Sequence, residues 1–374
     1  MNDRHTGGGG RRRIVMIGTA YEGRGGVASL INVYLTHGLF KRWPLTFIQS
    51  HVMGSYADKL RAYAVGMCRF MRMLLAGEVA LLHLHVSSGP SFWRKASFAL
   101  VAFLFRVPVI AHSHSGAFIE FYHERCGPMR RRIVRFVLER SARVIALSNG
   151  WREKLRVIAP QARFVCVPNP VFGSSGTPRQ LHGRTILFMG KLCRDKGVFD
   201  LLEALRLLRA RLPGVNLVLA GHGDMDDVRA HAAALHLLDV VVLPGWVSGT
   251  LKDEYMRQGT VLALPSYVEC MPMILLEAMS AGLPCVATRV GGIPDILTDG
   301  VEGCLVAPGD VPALAAALEQ LLIDKELYAR MSGASLARFR TEFAVDVVMP
   351  RLEHLYSELG LTPSQELSAA VQRS

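Results

Sequence analysis

Short apolar runs of strand type alternate with segments of helical periodicity along almost the whole chain. This alternation is typical of parallel β-sheets, whose neighbouring strands need a long crossover connection, usually a helix. The predicted strands form two series, Arg13–Gly18, Leu45–Gln49, Leu81–His85, Val107–Ala111, Val144–Leu147 and Phe164–Val167, then Thr185–Met189, Asn216–Ala220, Val240–Leu243, Val261–Leu264 and Cys285–Thr288. The chain is therefore predicted to be an α/β protein.

A segment rich in Pro, Gly and Ser, residues 168–178, separates the two series and is typical of a linker. The charge changes sign there. Residues 1–172 hold 25 Lys and Arg against 8 Asp and Glu, a net charge of +17, whereas the remainder has a net charge of −5. We predict two doubly wound, Rossmann-like domains that face each other across a cleft, over residues 1–172 and 173–340, and a helical tail over residues 341–374.

Composition excludes several classes of protein. Half of the residues are hydrophobic, which favours a globular protein over a disordered one. The seven cysteines are scattered without a C-x-x-C pair, which argues against a zinc site or a disulfide framework and for the cytoplasm. No signal peptide is visible, and no apolar run approaches the ~20 residues of a membrane span. The longest such run, residues 96–105, is predicted to be a buried helix.

Two carboxylates eight positions apart, Glu269 and Glu277, surround a predicted helix start at Pro272. At a rise of ~1.5 Å per residue, Glu277 lies roughly 7 Å along the helix axis. Unpaired N–H groups at a helix start bind phosphate, whereas carboxylates accept hydrogen bonds from sugar hydroxyls. The segment therefore predicts a site for a nucleotide sugar, in which a diphosphate joins two sugars.

Other predicted strand ends carry cations and glycines. Gly190, Lys191 and Lys196 follow the first strand of the second series, where cations can neutralise a diphosphate leaving group. Gly25 and Gly26 follow the first strand of the chain, in a loop whose glycines allow close approach to phosphate or sugar.

A D-x-D pattern, Asp224 and Asp226, formally matches a metal-binding motif. It opens a predicted helix, where acidic residues cap the first turn and interact favourably with the helix dipole. We therefore predict no metal site and no cofactor.

The segment around the two glutamates resembles the E-x7-E signature of retaining glycosyltransferases of the GT-B fold, family 4 in particular. The match extends over Ser266, Pro272, Gly282-x-Pro284 and Gly291-Gly292-Ile-Pro294. Residues 190–197 are similar to the G-R-x4-K-G pattern of that family, with Lys191 in place of Arg, and Cys270 stands where Gly is usual. The resemblance covers roughly residues 13–358.

The resemblance implies transfer, without a metal, of a hexose from a UDP- or GDP-sugar to a growing lipid-linked bacterial surface glycan, of exopolysaccharide or lipopolysaccharide type. It implies that Glu277 binds the ribose, that Lys191 and Lys196 bind the diphosphate, and that Glu269 binds hydroxyls of the donor sugar. The implied catalytic residues are Glu269, His114 and Lys196. The other implied donor-binding residues are Gly25, Gly26, Gly190, Gly221, Met271, Pro272 and Met273.

Histidines at a predicted strand end complete the implied site. Spacing from Pro108 favours His114 as the histidine beside the donor sugar, with His112 as the alternative. His83 and His85, on the preceding strand, are interpreted as structural or acceptor-side residues. In the family the helical tail packs back on the first domain.

Arginines concentrate in the first half of the chain, on two predicted helices. We expect this basic face to meet the anionic inner leaflet of the cytoplasmic membrane, as a peripheral protein whose acceptor is a glycan or a polyprenyl-diphosphate-linked glycan. No nucleic-acid module accompanies it, so nucleic acid is not expected. Alternatives are a GT-B phosphorylase, a nucleotide-sugar epimerase, and a non-catalytic protein that binds nucleotide sugars or RNA.

Overall fold

The computed structural model describes residues 12–364 except 22, 24, 53, 174 and 175. The chain forms two compact units, one running up to Val167 and resuming at Pro350, the other spanning Pro168–Met349. These boundaries differ from the predicted 173 and 341. The boundaries differ because Val171 pairs with Ala344 and Asn169 hydrogen-bonds Met271. The segment after Val167 and the segment around Ala344 therefore both pack within the second unit.

The first unit is a parallel sheet covered by helices. Its strands are β1 Arg13–Gly18, β2 Leu45–Gln49, β3 Val79–Val86, β4 Val109–Ser113, β5 Arg143–Ala146 and β6 Phe164–Cys166. Its helices are α1 Gly26–Thr36, α2 Leu39–Arg42, α3 Tyr56–Leu75, α4 Pro90–Leu104, α5 Phe118–Glu124, α6 Pro128–Arg140 and α7 Asn149–Ile158. The strand order is β2-β1-β3-β4-β5-β6. Strands such as β4 are buried throughout, as expected for parallel strands with helices on both faces.

The second unit repeats this architecture. Its strands are β7 Thr185–Leu192, β8 Asn216–Gly223, β9 Val241–Gly245, β10 Val261–Leu264, β11 Cys285–Thr288 and β12 Gly303–Val306, in the order β12-β11-β10-β7-β8-β9. Its helices are α8 Val198–Arg211, α9 Met225–Ala234, α10 Gly249–Gln258, α11 Met273–Ser280, α12 Ile293–Ile296, α13 Val311–Ile323 and α14 Lys325–Arg338. A 3-10 turn, Arg194–Lys196, follows β7, and a π-helical turn, Phe339–Phe343, follows α14.

The last helix, α15 Val345–Glu358, contains the second boundary between the units, at Pro350. Its final turns belong to the first unit. There Tyr356 is buried edge-to-face against Trp43, and Glu353 forms a salt bridge with Arg42. Among the described residues, no helix combines the length and the apolar character needed to cross a bilayer.

The predicted α/β class with two doubly wound sheets is confirmed, and all eleven predicted strands are present. The prediction missed β12, a four-residue edge strand that begins with Gly303. Several strands are longer at their carboxyl ends than predicted, because β7 continues to Leu192 and β8 to Gly223. Lys191 and Gly221, which were expected in loops after these strands, therefore lie within the second sheet.

Candidate active site

A partly buried ion pair occupies the carboxyl edge of the second sheet. Glu269, in the loop after β10, is 9% exposed, and its Oε1 accepts a hydrogen bond from Lys196 Nζ at 2.6 Å. Ser266 Oγ donates to the same oxygen at 2.9 Å. Within the described residues no hydrogen bond or salt bridge to Oε2 is present. The fold thus joins the two predicted residues and leaves one carboxylate oxygen for a ligand hydroxyl.

Two glycines hold the backbone at this pair. Gly197, immediately after Lys196, has φ 67°, and a Cβ there would lie 2.0 Å from the Pro265 carbonyl oxygen. Gly291 has φ 56°, and its Cβ would lie 1.6 Å from the carbonyl oxygen of Glu269. Both positions therefore require glycine for their left-handed conformation and for close backbone approach. The loops that carry Lys196 and Glu269 are fixed by these contacts.

The helix α11 begins next to this pair. It begins at Met273 with Pro272 as its N-cap, one residue after the predicted start, and the N–H groups of a first helical turn lack partners within the helix. Met271 and Met273, on either side, are both more than nine-tenths buried. Asn169 donates to Met271 from its side chain, at 3.0 Å to the carbonyl oxygen, and fixes the approach to the helix.

A second acid–lysine pair lies along α11. Glu277 Oε1 accepts a hydrogen bond from Lys252 Nζ at 2.7 Å, and both side chains are half-buried. Sequence reasoning missed Lys252, because α10 carries no motif and its position opposite α11 depends on the tertiary fold. The fold supplies each predicted glutamate with one lysine.

The remaining predicted residues of the second unit are in the sheet. Lys191 is exposed on β7 beside His222 in the ladder and, within the described residues, forms no salt bridge. Gly190 and Gly221 are neighbours in register, and a Cβ on Gly221 would lie 1.8 Å from the Gly190 carbonyl oxygen. Sheet packing alone thus requires glycine at 221. The structure does not join Lys191 to the Lys196–Glu269 pair.

In the first unit, four imidazoles cluster at the ends of β3 and β4. We call His83, His85, His112 and His114 the histidine cluster. His85 Nδ1 is hydrogen-bonded to His114 Nε2 at 2.8 Å, and His83 Nε2 to His112 Nδ1 at 3.2 Å. The hydroxyl of Tyr356, on α15, is 2.7 Å from His83 Nδ1. His114 is half-buried, whereas the other three are at most 2% exposed.

Burial keeps the histidine cluster neutral. It lowers the pKa of His83 and His114 to about 3, with a further contribution at His114 from the charges of His83 and Lys95. Burial also holds the pKa of His85 and His112 well below the usual value. At neutral pH these side chains are therefore hydrogen-bonding groups without charge.

Ligand nitrogens of His83, His85 and His112 lie within 4.8 Å of one another, the arrangement nearest to a metal site among the described residues. Both nitrogens of His83 are already hydrogen-bonded, so a metal ion would have to displace Tyr356 or His112. Asp224 and Asp226 are not part of this group. Asp224 is the N-cap of α9 and Asp226 lies in its first turn, the positions that helix capping predicts.

The glycine loop after β1 leads directly into α1. Gly25 is the N-cap of α1 with φ 146°, which an L-residue rarely adopts, and Gly26 is the first helical residue. Nothing lies within 4 Å of a Cβ built on Gly25. The requirement for glycine at this position is therefore conformational.

Both halves of the chain match known families. The profile "Glycosyl transferase 4-like domain" matches residues 8–170, and "Glycosyl transferases group 1" matches residues 177–337. The chain is 30% identical over 319 residues to the phosphatidyl-myo-inositol mannosyltransferase of Mycolicibacterium smegmatis, covering 81% of this chain and 77% of that protein. The chain belongs to the group 1 glycosyltransferases.

Further relatives of this glycosyltransferase support the assignment. It is 26% identical over 348 residues to the alpha-D-kanosaminyltransferase of Streptomyces kanamyceticus, covering 86% of this chain and 89% of that protein. The fold resembles that of Anabaena HepE, solved in complex with UDP-glucose, with a TM-score of 0.73 at 18% identity over 92% of this chain and 99% of that one. The predicted GT-B fold and family 4 resemblance are confirmed.

Proposed function

We propose that this glycosyltransferase moves a hexose, with retention and without a metal, from a UDP- or GDP-sugar to a lipid-linked bacterial surface glycan of exopolysaccharide or lipopolysaccharide type. The observation that carries the proposal is the Lys196–Glu269 pair beside the start of α11. A diphosphate at this helix start would meet unpaired N–H groups and an ammonium group. That HepE was solved with UDP-glucose supports a nucleotide-sugar donor.

Each side chain of the second unit has a distinct proposed role. Glu277 accepts hydrogen bonds from the ribose hydroxyls, and Glu269 accepts them from the donor sugar. Lys196 stabilises the negative charge that develops on the leaving diphosphate. The other donor contacts of the proposal are Gly25, Gly26, Gly190, Lys191, Gly221, Met271, Pro272 and Met273.

His114 is proposed to contact the donor sugar during transfer. Its lowered pKa supports this role, because a neutral imidazole does not repel the positive charge that develops at the sugar carbon. Its greater exposure favours His114 over His112.

In the proposed front-face reaction, the acceptor oxygen bonds to the anomeric carbon, the bond from that carbon to phosphate oxygen breaks, and the acceptor proton moves to the departing phosphate.

A thermal-shift panel of UDP-, GDP- and ADP-sugars tests donor binding, because a ligand that binds the native state raises the melting temperature. Release of the nucleotide that depends on an added acceptor then distinguishes transfer from epimerisation.

Substitution of Lys196 tests its role in the reaction. Lys196→Ala is expected to lower kcat at least tenfold, since a charge-assisted contact in the transition state is lost. Lys325→Ala, an exposed lysine on α14, is the control. Wild-type turnover by the Lys196 variant would rule out a leaving-group role.

We also propose that the protein lies on the cytoplasmic face of the inner membrane. Met129, Arg132, Phe136 and Arg140 recur at three- and four-residue spacing on the exposed side of α6, and we call them the α6 face. Met129 is 77% and Phe136 50% exposed. The interfacial layer of an anionic bilayer can bind such a surface, because apolar side chains insert among the lipids and arginines pair with the anionic head groups.

A further inference from the structure

Lys95 is a buried lysine that has no acidic partner among the described residues. It lies in the second turn of α4 and is 1% exposed. Its one hydrogen bond runs from Nζ to Ser91 Oγ at 2.7 Å, and in the described part of the chain no carboxylate pairs with it. Lysine is rarely fully buried unless a counter-charge compensates for its desolvation.

The surroundings of Lys95 add positive charge and hydroxyl groups. Burial and the neighbouring Arg94 lower the pKa of Lys95 to about 7. The charge of Lys95 also lowers the pKa of His85 and His114, after burial and the neighbouring histidines. Acidic residues contribute to none of these shifts. The local field therefore favours an anion.

The same edge of the sheet supplies neutral donors. Ser115 Oγ donates to Ser88 Oγ at 2.8 Å, joining the loops that follow β4 and β3. The N-cap of α4 is Gly89 and provides no side chain. Pro90 has no N–H and the Phe92 N–H donates to the Gly89 carbonyl oxygen, so of the first three helical positions Ser91 keeps its N–H for a ligand. Ser88 and Ser91 are half-buried, whereas Lys95 is enclosed. Solvent therefore reaches the Ser91 hydroxyl, which accepts the hydrogen bond from the Lys95 ammonium group.

We propose that Lys95, Ser88, Ser91 and Ser115 bind a phosphate or diphosphate group carried by the acceptor. An ammonium group, hydroxyls and the positive end of a helix all donate to anionic oxygens, and a phosphate has enough oxygens to accept from several at once. The inference rests on the proposed function and adds the side chains of the first unit that would bind the phosphate of the acceptor.

Lys95→Met tests the proposed phosphate site with a variant that is expected to remain folded. Methionine fills a similar volume, and removal of an uncompensated buried charge is often neutral or stabilising. The variant is therefore expected to melt at or above the temperature of the wild type when no ligand is present.

Calorimetric titration with pyrophosphate measures the site directly. We expect the wild type to bind two equivalents, one in each unit, and Lys95→Met and Lys196→Met to bind one each. Loss of the Lys95 contact should weaken its site roughly tenfold or more. Lys41→Met, an exposed lysine on α2, is the matched control and should keep both sites. Two sites of wild-type affinity in the Lys95 variant would overturn the proposal.

Competition identifies the source of the phosphate. Farnesyl diphosphate and glucose 1-phosphate are each titrated into Lys196→Met preloaded with pyrophosphate. Displacement by farnesyl diphosphate supports a lipid-linked acceptor, displacement by glucose 1-phosphate alone supports a soluble one, and displacement by neither contradicts the proposal. Because nucleotide sugars are tested separately by thermal shift, failure of the donor proposal remains distinct from failure of this one.

Discussion

At the scale of single residues, the candidate donor site depends on close contacts that motif spacing does not reveal. Eight positions separate Glu269 from Glu277 in the sequence, yet each is paired with a lysine from a different part of the chain. Lys196 comes from the turn after β7 and Lys252 from α10. The motif identifies the acids, whereas the fold determines which cations accompany them.

Gly291→Ala tests whether backbone approach positions Glu269. The new Cβ would overlap the Glu269 carbonyl oxygen, so the loop must move, and we expect kcat/KM to fall at least tenfold, about 1.4 kcal/mol. Gly300→Ala is the control, because Gly300 also has a positive φ, 78°, but a Cβ there meets nothing within 4 Å. Equal activity of the two variants, measured by nucleotide release, would show that the contact does not position the acid.

Lys252→Met tests the pair that sequence reasoning missed. We expect Lys252 to act as a positioning residue that holds the Glu277 carboxylate toward the ribose. Its loss should raise the donor KM roughly fivefold, about 1 kcal/mol, with little change in kcat, because the contact is present in ground and transition states alike. Lys325→Met controls for loss of a surface charge. A fall in kcat at constant KM would instead place Lys252 in the chemical step.

At the scale of elements, the sequence predicted the strands well because parallel strands are buried on both faces and read as continuous apolar runs. It failed at β12, where Gly303 and an edge position weaken that pattern. It also ended β7 and β8 too early, because Lys191 and Gly221 resemble loop residues. Lys252 and Lys95 lie in no recognisable motif. Their roles depend on the side chains that the tertiary fold brings next to them, which the sequence does not show.

The free energy of unfolding should depend on pH through the histidine cluster, which lies at the ends of β3 and β4. The folded pKa of His83 is about 3, below the unfolded value of about 6.5, so its stabilising contribution is complete above pH 6.5 and is lost progressively as the pH falls from about 6.5 to about 3. Between pH 7 and 5.5 the shift at His83 should lower the free energy of unfolding by about 1 kcal/mol, and the lowered pKa of His85 and of His112 acts in the same direction.

Urea unfolding followed by tryptophan fluorescence measures this loss, because Trp43, Trp93 and Trp151 all lie in the first unit. His112→Gln should reduce the pH dependence, whereas replacement of the exposed His123 by Gln should not. An unfolding free energy that stays constant between pH 7 and 5.5 would show that the cluster already carries protons in the folded state.

At the scale of the whole molecule, charge divides the chain as the fold does. The basic half, +17 over residues 1–172, coincides closely with the first unit, and the acidic half with the unit that holds both glutamates. This division gives the two units different proposed partners. In the proposal the basic unit binds the acceptor and an anionic membrane, and the acidic unit binds the donor. The donor is itself anionic, so the lysines beside the two glutamates are needed to offset the negative charge of that unit.

Flotation with liposomes tests the membrane partner at this scale. We expect the protein to float with vesicles of phosphatidylglycerol and phosphatidylcholine at low salt and to dissociate as salt rises, because exposed charges are screened over about 10 Å at 0.1 M ionic strength. The double variant Arg132→Gln, Arg140→Gln should bind roughly thirtyfold more weakly, at about 1 kcal/mol for each of the two charges. Arg229→Gln, an exposed arginine of the second unit, should float like the wild type. If all three float equally, or none floats at low salt, the α6 face is not a membrane surface.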